Sequence, residues 1–416
     1  MRHMARRTVL MAGCLAASLW GAGGAMAQQK EILIGAQCDR NGPTQVVATV
    51  YCPAMHDYVA LINSKGGVGG FRIRVDEIDN NYQVPPAIEA YERHKQMGAV
   101  SYIIWGTPQA LALKPRLEQD KIPGTSPGFG ASAAADGAKY PYVFPIAATY
   151  WSQAGAAMDF VKKRLGGDLK GKKIAYLYFD NPAGLDPLPV IQDIQKIEGF
   201  ELRTFAVPSP GVEMGAQVLD IAQRYRPDFV IAHLFGRAPS VAIKDLKRAG
   251  FPLSKVLGFV WAAGEPDIIA AGGFALAEGY NTLQFAGVGT DYPVLNEIRA
   301  MYQKEGKAIP AIMNTSVYYN RSILNTALHV EAIRLAIAAK GGGQAPTGEE
   351  VKNAFEKIKD FTLGGLLPPL EVTAADHEGG GWVQVFTVKG GKLVADGPWF
   401  RGYRDIVLKH VRGSGS

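Results

Sequence analysis

Three stretches carry residue types and spacings that could do chemistry. Gly124-Thr-Ser-Pro-Gly128 matches the G-x-S-x-G turn that exposes a nucleophilic serine in many hydrolases. That chemistry also needs the backbone N–H after the serine as an oxyanion donor. Here the next residue is Pro127, which has none. Gly66-Gly-Val-Gly-Gly70 looks like a phosphate-cradling loop, but it ends a helix and precedes a strand, the reverse of the order a cradle requires. Asp76, Glu77 and Asp79 gather carboxylates at a strand end without the spacing of a calcium loop. G-x-x-x-x-G-K-[ST], H-E-x-x-H and C-x-x-C are all missing from the sequence, and its 7 histidines are scattered. His233, inside an apolar strand, reads as a satisfied core residue. A secreted hydrolase is therefore disfavoured, and no catalytic residue, metal or cofactor is expected.

What remains is chemistry of recognition. Gly106-Thr107 precedes a helix opened by Pro108. Such an N-terminus offers free N–H groups and the positive end of the helix dipole, which suits a carboxylate. Thr107 would also serve as a plain helix cap. Phe129-Gly130 gives a second close approach through a small residue. Tyr150, Trp151, Phe235 and Trp261 supply aromatic surface of the kind that lines small-molecule sites. Arg40 and Arg237, each just behind a strand, are candidates for a charge-assisted bond to an acid, although exposed arginine is the rule.

The elements that must position these residues alternate along the chain. Glu31–Gly35, Phe71–Val75 and Val100–Trp105 read as strands, separated by helices up to Asn63, from Pro85, and over Pro108–Gln119. The pattern restarts with strands at Lys173–Phe179, Glu201–Ala206, Asp228–Leu234 and Val256–Phe259, with helices between them. A long helical stretch over Ser316–Lys340 and a late hairpin over Trp382–Val388 and Lys392–Val394 follow. Two consecutive βαβ runs predict an α/β protein of two doubly wound parallel-sheet lobes, each sheet covered on both faces. Ligands of such sheets bind beyond the carboxyl ends of the strands, where the residues named above fall.

Bulk properties set the compartment. Arg2, Arg6 and Arg7, an apolar stretch over Thr8–Met26 and the Ala25-Met26-Ala27 end have the form of a cleaved secretory signal. Gly13-Cys14 is a poorer match to a lipidation signal, and Arg6-Arg7 faintly suggests twin-arginine export. After the leader the sequence suggests no further run long enough to span a bilayer, so membrane insertion is not expected. The formal net charge of +6, three units of it in the leader, is too small and dispersed to imply nucleic acid. Of three cysteines, Cys14 leaves with the leader. Cys38 and Cys52 remain in an oxidising compartment, where a disulfide is favoured over two isolated thiols.

Taken as a series, several segments resemble the branched-chain amino-acid-binding family of type I periplasmic solute receptors. They are Ile32–Gly35 with Gly42-Pro43, Asn63–Gly70, Ile122-Pro with Ser126-Pro, Tyr142–Phe144, Gly171–Ala175 and Arg226–Val230. The resemblance implies a hinged receptor that closes on its ligand and presents it to an inner-membrane ABC permease. It also implies ligand contacts near Gly106-Thr107, Phe129-Gly130 and Phe235. The family's acid for an amino-acid ammonium should fall near Val260-Trp261, where no Asp or Glu stands. An aromatic or apolar carboxylate therefore fits better than an amino acid. A true amino-acid receptor would have to use Glu265, Asp39 or Asp180, and the sensor module of a signalling receptor is a further alternative.

The expected organisation is a signal over 1–27, a first lobe over 31–148 and 284–360, and a second over 150–281 and 371–408. Crossings near 148–150, 280–283 and 361–371 would form a three-segment hinge, and 409–416 would be a flexible tail. A periplasmic monomer is expected.

Overall fold

The computed structural model describes residues 30–126, 128 and 130–413. The leader and Phe129 lie outside the described residues. The first half alternates β1 (Glu31–Cys38), α1 (Gln45–Ser64), β2 (Arg72–Asp79), α2 (Val84–Gln96), β3 (Ser101–Ile103), α3 (Thr107–Asp120), β4 (Gly124–Thr125) and β5 (Val143–Phe144). These strands form one sheet in the order β2-β1-β3-β4-β5, parallel throughout. Pro85 and Pro86 open α2, where their missing N–H groups have no helical partner to lose.

The chain then enters a second unit. It holds α4 (Tyr150–Arg164), β6 (Lys173–Phe179), α5 (Pro182–Leu185), α6 (Leu188–Glu198), β7 (Glu201–Val207), α7 (Gly215–Leu219), β8 (Phe229–His233), α8 (Ala238–Arg248), β9 (Val256–Gly258), α9 (Glu265–Ala271) and β10 (Asn281–Gln284). After α10 (Pro293–Lys304), α11 (Ser316–Ala339) and α12 (Gly348–Phe355), the antiparallel pair β11 (Gln384–Lys389) and β12 (Lys392–Ala395) completes the second sheet. Its order is β12-β11-β10-β9-β8-β6-β7. The helix α13 (Arg404–Gly413) ends the described chain.

Two sheets with helices on their faces match the α/β architecture read from the pattern. The run α10–α12 packs back on α1, while α13 lies on α4 and α6. Residues 409–413 therefore continue a helix with Val407 and Val411 buried, instead of the flexible tail expected there. The last passage between the sheets also comes later in the chain than 361–371. His377 Nδ1 still donates to Val143 O (2.8 Å), its Nε2 lies 3.1 Å from Glu356 Oε1, and Gly381 N–H reaches Ala147 O.

The hinge is tied by charge. The Glu378 carboxylate, 1 % exposed, accepts the Thr149 N–H at 2.7 Å and pairs with Arg404 at 2.7 Å. One carboxylate thus joins the first and last crossings to α13. Cys38 and Cys52 form a disulfide across 14 residues, fixing the exit of β1 to the first turns of α1. One expectation needs correction. The helix α11 is long and apolar enough to cross a membrane by length and composition. It is a core helix here, with 72 % of its most apolar window buried and Asn320, Arg321, Asn325 and His329 among its buried residues.

Candidate functional site

A pocket lies between the carboxyl ends of the two sheets. From the first unit it is lined by Thr44, Val47, Tyr82, Trp105, Gly106 and Thr107. Tyr150, Phe235 and Trp261 close it from the second. The walls are aromatic, the polar groups are hydroxyls, and no charged side chain lines it among the described residues.

Local sequence explains each position. Gly106, at φ +103°, turns β3 into α3, and a Cβ there would sit 2.0 Å from Gln109 Oε1. Thr107 is therefore carried into the pocket on the first turn of α3, 1 % exposed, where its side chain faces the Tyr150 phenol. Both polar atoms of the neighbouring Gln109 are buried without partners. Leaving such groups unpaired is costly. Gly130 packs directly on this helix start, its position for a Cβ only 2.7 Å from Thr107 Oγ1.

On the other wall of this unit, Asp39 organises the loop after β1. Its carboxylate accepts the N–H groups of Gly42 (2.6 Å) and Thr44 (2.7 Å) and the Thr44 hydroxyl (2.5 Å). Trp105 Nε1 then donates to Thr44 Oγ1 at 2.8 Å, locking the indole against the cavity. Asn80 holds Tyr82 in place by accepting its backbone N–H at 2.9 Å, and donates to Trp105 O at 3.1 Å.

The second unit contributes neutral groups. Burial pushes the Tyr150 phenol well above its ordinary range, against weaker downward pulls from Thr107 and Trp261. It stays protonated as a donor. His233 stands behind it, ring centroids 4.4 Å apart, and accepts or donates at Tyr176 OH (2.9 Å). Burial pulls this imidazole down to about 3, so it is uncharged at neutral pH. Phe235 stacks on Phe179 at 4.4 Å, which fixes its ring in the wall. The units meet closely at the rim. Gly236, at φ +68°, approaches Pro43 O so tightly that a Cβ would lie 1.9 Å from it.

The structure thus brings together Gly106, Thr107, Tyr150, Phe235 and Trp261, with Gly130 against Thr107. It separates three others. Arg40 makes a two-pronged ion pair with Glu77 at 2.7 and 2.8 Å. Arg237 is exposed at the start of α8. Trp151 faces away from the cavity lining, donating to Asp186 O at 2.9 Å and packing on His410. The reason is helical geometry: consecutive residues on α4 point about 100° apart, so Tyr150 and Trp151 cannot share one wall. Sequence reasoning missed Thr44, Val47, Tyr82 and Trp105. Trp105 was visible as the end of a strand, whereas Tyr82 needs the turn after β2, which the pattern does not mark.

The acids suggested for an ammonium are engaged elsewhere. Glu265 accepts Ser316 N–H (2.8 Å), Ser316 Oγ–H (2.5 Å) and Val317 N–H (3.0 Å), capping α11. Asp39 carries the three bonds given above, and Asp180 is exposed. In the G-x-S-x-G segment, Ser126 is buried and donates to Gly130 O at 3.1 Å.

Two sheets facing each other across a pocket walled by aromatic side chains form the architecture of a binding protein. Residues 31–392 match the family model described as periplasmic binding protein. The chain belongs to that family. Among solved structures it is similar to one described as an ABC transporter permease from the Pseudomonas fluorescens group. That match has 32 % identity, covers 93 % of this chain and 96 % of the other, and has a TM-score of 0.83. A branched-chain amino acid ABC transporter from Thermus thermophilus with bound valine shares the fold at 22 % identity, covering 92 % and 99 %, TM-score 0.80. A fatty acid ABC transporter substrate-binding protein from Thermomonospora curvata does so at 18 % identity, covering 91 % and 94 %, TM-score 0.75. None of the curated proteins compared with the chain matches it.

Proposed function

We propose that this protein is the periplasmic receptor of an ABC importer for a small carboxylate with an aromatic or apolar body, delivered to an inner-membrane permease. It acts as a monomer, without cofactor or turnover, after removal of the leader over 1–27. The carboxylate sits at the start of α3, and the body lies between Trp105, Tyr150, Phe235 and Trp261. The observation that carries this reading is the start of α3, where Thr107 lines a pocket without charged walls and both polar atoms of Gln109 are buried without partners. Free N–H groups and the helix dipole favour an acid at that end. An α-ammonium would enter a site whose walls offer it no carboxylate, and burying an unpaired charge is strongly unfavourable.

A thermal-shift series tests the reading. Small aromatic and aliphatic carboxylates should raise the melting temperature with concentration, by mass action, and their amides should not. Equal shifts from acids and amides, or shifts from neither, would overturn it. Thr107→Ala should weaken binding by roughly two- to tenfold, since backbone donors remain.

A further inference from the structure

Behind the cavity wall lies a second group of buried polar side chains. Arg321 and Asn325 lie one turn apart on the same face of α11, and Ser322, next in sequence to Arg321, borders it. The helix α11 packs on α1. There Tyr51 is one turn beyond Val47, which lines the cavity. All four are no more than 1 % exposed. Ser322 Oγ and Arg321 Nε have no hydrogen-bond partner, and Tyr51 OH and the Asn325 amide face each other without a well-formed bond.

Arg321 is the unusual member. Its hydrogen bonds go to Val260 O, Leu283 O and Gln284 Oε1, none of which carries a charge. Its guanidinium lies 5.1 Å from the centre of the Trp261 ring and 4.7 Å from that of Phe285. Burial lowers it to about 10, and it stays charged at neutral pH. The nearby acids are committed: Glu265 caps α11, and Asp267 accepts Gly264 N–H at 3.0 Å and the Tyr318 hydroxyl. Asp267 and Glu265 attract the guanidinium from nearby, but its hydrogen bonds go only to neutral oxygens, and a buried charge without a directly bonded counter-charge is costly. The cluster abuts the cavity at two walls. Trp105 stands edge-on to Tyr51 with ring centres 5.2 Å apart, and Trp261 separates the cavity from Arg321.

We infer that the cavity continues past Trp105 and Trp261 into an inner subsite where Arg321, Tyr51, Ser322 and Asn325 take a second carboxylate, so that the preferred ligand is a compact dicarboxylate with an apolar middle. This rests on the cleft reading above and extends it by one anchor. The α3 end holds one acid group and Arg321 the other.

Calorimetry with matched probes tests it: benzoate against terephthalate, and hexanoate against adipate. In the wild-type protein at least one diacid should bind tighter than its monoacid by about tenfold or more, the value of one charge-assisted contact. Arg321→Met should abolish that gap. Because Arg321 also holds Val260 and Gln284, the decisive variant is the double change Tyr51→Phe with Ser322→Ala. It leaves the Arg321 bonds intact and removes one hydroxyl without a partner and one that faces Asn325, so the unliganded melting temperature should change little, while the gap shrinks several-fold. Monoacids that bind as well as both diacids, or a gap untouched by the double change, would overturn the inner subsite and leave the cleft reading standing. Failure of all four probes to bind would overturn both.

Discussion

Glu265 offers a perturbation with opposite consequences under the two ligand readings. It accepts three hydrogen bonds at the N-terminus of α11, one oxygen serving both groups of Ser316 and the other Val317 N–H. In Glu265→Gln the side-chain oxygen can keep the Ser316 pair, but the new amide turns N–H toward Val317 N–H. An unsatisfied donor costs about 1–3 kcal/mol. Loss of the negative charge at the helix start adds roughly 0.3–1 kcal/mol. The expected destabilisation is therefore about 1.5–4 kcal/mol, or several degrees at roughly 2–4 °C per kcal/mol. Glu265→Ala should cost more, since all three donors lose their acceptor. Differential scanning calorimetry of the unliganded protein reads the stability, and titration of carboxylates reads affinity. Both variants should melt earlier and still bind the same acids. An unchanged melting temperature with lost binding of leucine or valine would refute the reasoning, because the carboxylate would then belong to an amino-acid ammonium.

Four further outcomes follow from the geometry. Gly236→Ala should hold the two units apart at Pro43 and weaken ligand binding with little change in unliganded stability, which titration and melting curves measure together; unchanged affinity would count against the closed rim. Reducing the Cys38–Cys52 bond, which closes a short loop, should cost roughly 3 kcal/mol of stability in denaturant titrations. Trp151→Phe should lower the melting temperature through the lost bond to Asp186 O while sparing affinity, whereas Trp261→Ala should weaken aromatic ligands. Burial raises the Asp267 carboxyl from 3.8 to about 7, outweighing the Tyr318 and Gly264 bonds. The folded state therefore holds the proton more tightly, and this group's stabilising contribution is lost as pH rises from about 4 to 7. Melting curves across that range should flatten in Asp267→Asn.

Much of the fold was legible because strand and helix periods are local. The runs at Lys173–Phe179 and Asp228–Leu234 are mostly apolar without alternation, as expected of strands buried on both faces, and they stand as β6 and β8 within a residue or two. The strand exits pointed to Thr107, Tyr150, Phe235 and Trp261 by the general geometry of parallel sheets. What could not be read was decided by contacts far apart in the chain. Arg321 looks like an ordinary helix charge until α11 is seen packed on α1 and against Trp261. Trp151 and Tyr150 are indistinguishable in a list of aromatics, and only the register of α4 separates them. Glu265 reads as a free acid near the cleft, and its use as a cap for Ser316 spans 51 residues.

The central claim is that the cleft takes a carboxylate and has no place for an α-ammonium. Isothermal titration of 3-phenylpropionate and of phenylalanine into the same protein isolates that single group, since body and acid are shared. The account predicts measurable binding of the acid and at least a tenfold weaker response to the amino acid, from one uncompensated buried charge. Tight binding of phenylalanine with none of 3-phenylpropionate would contradict it.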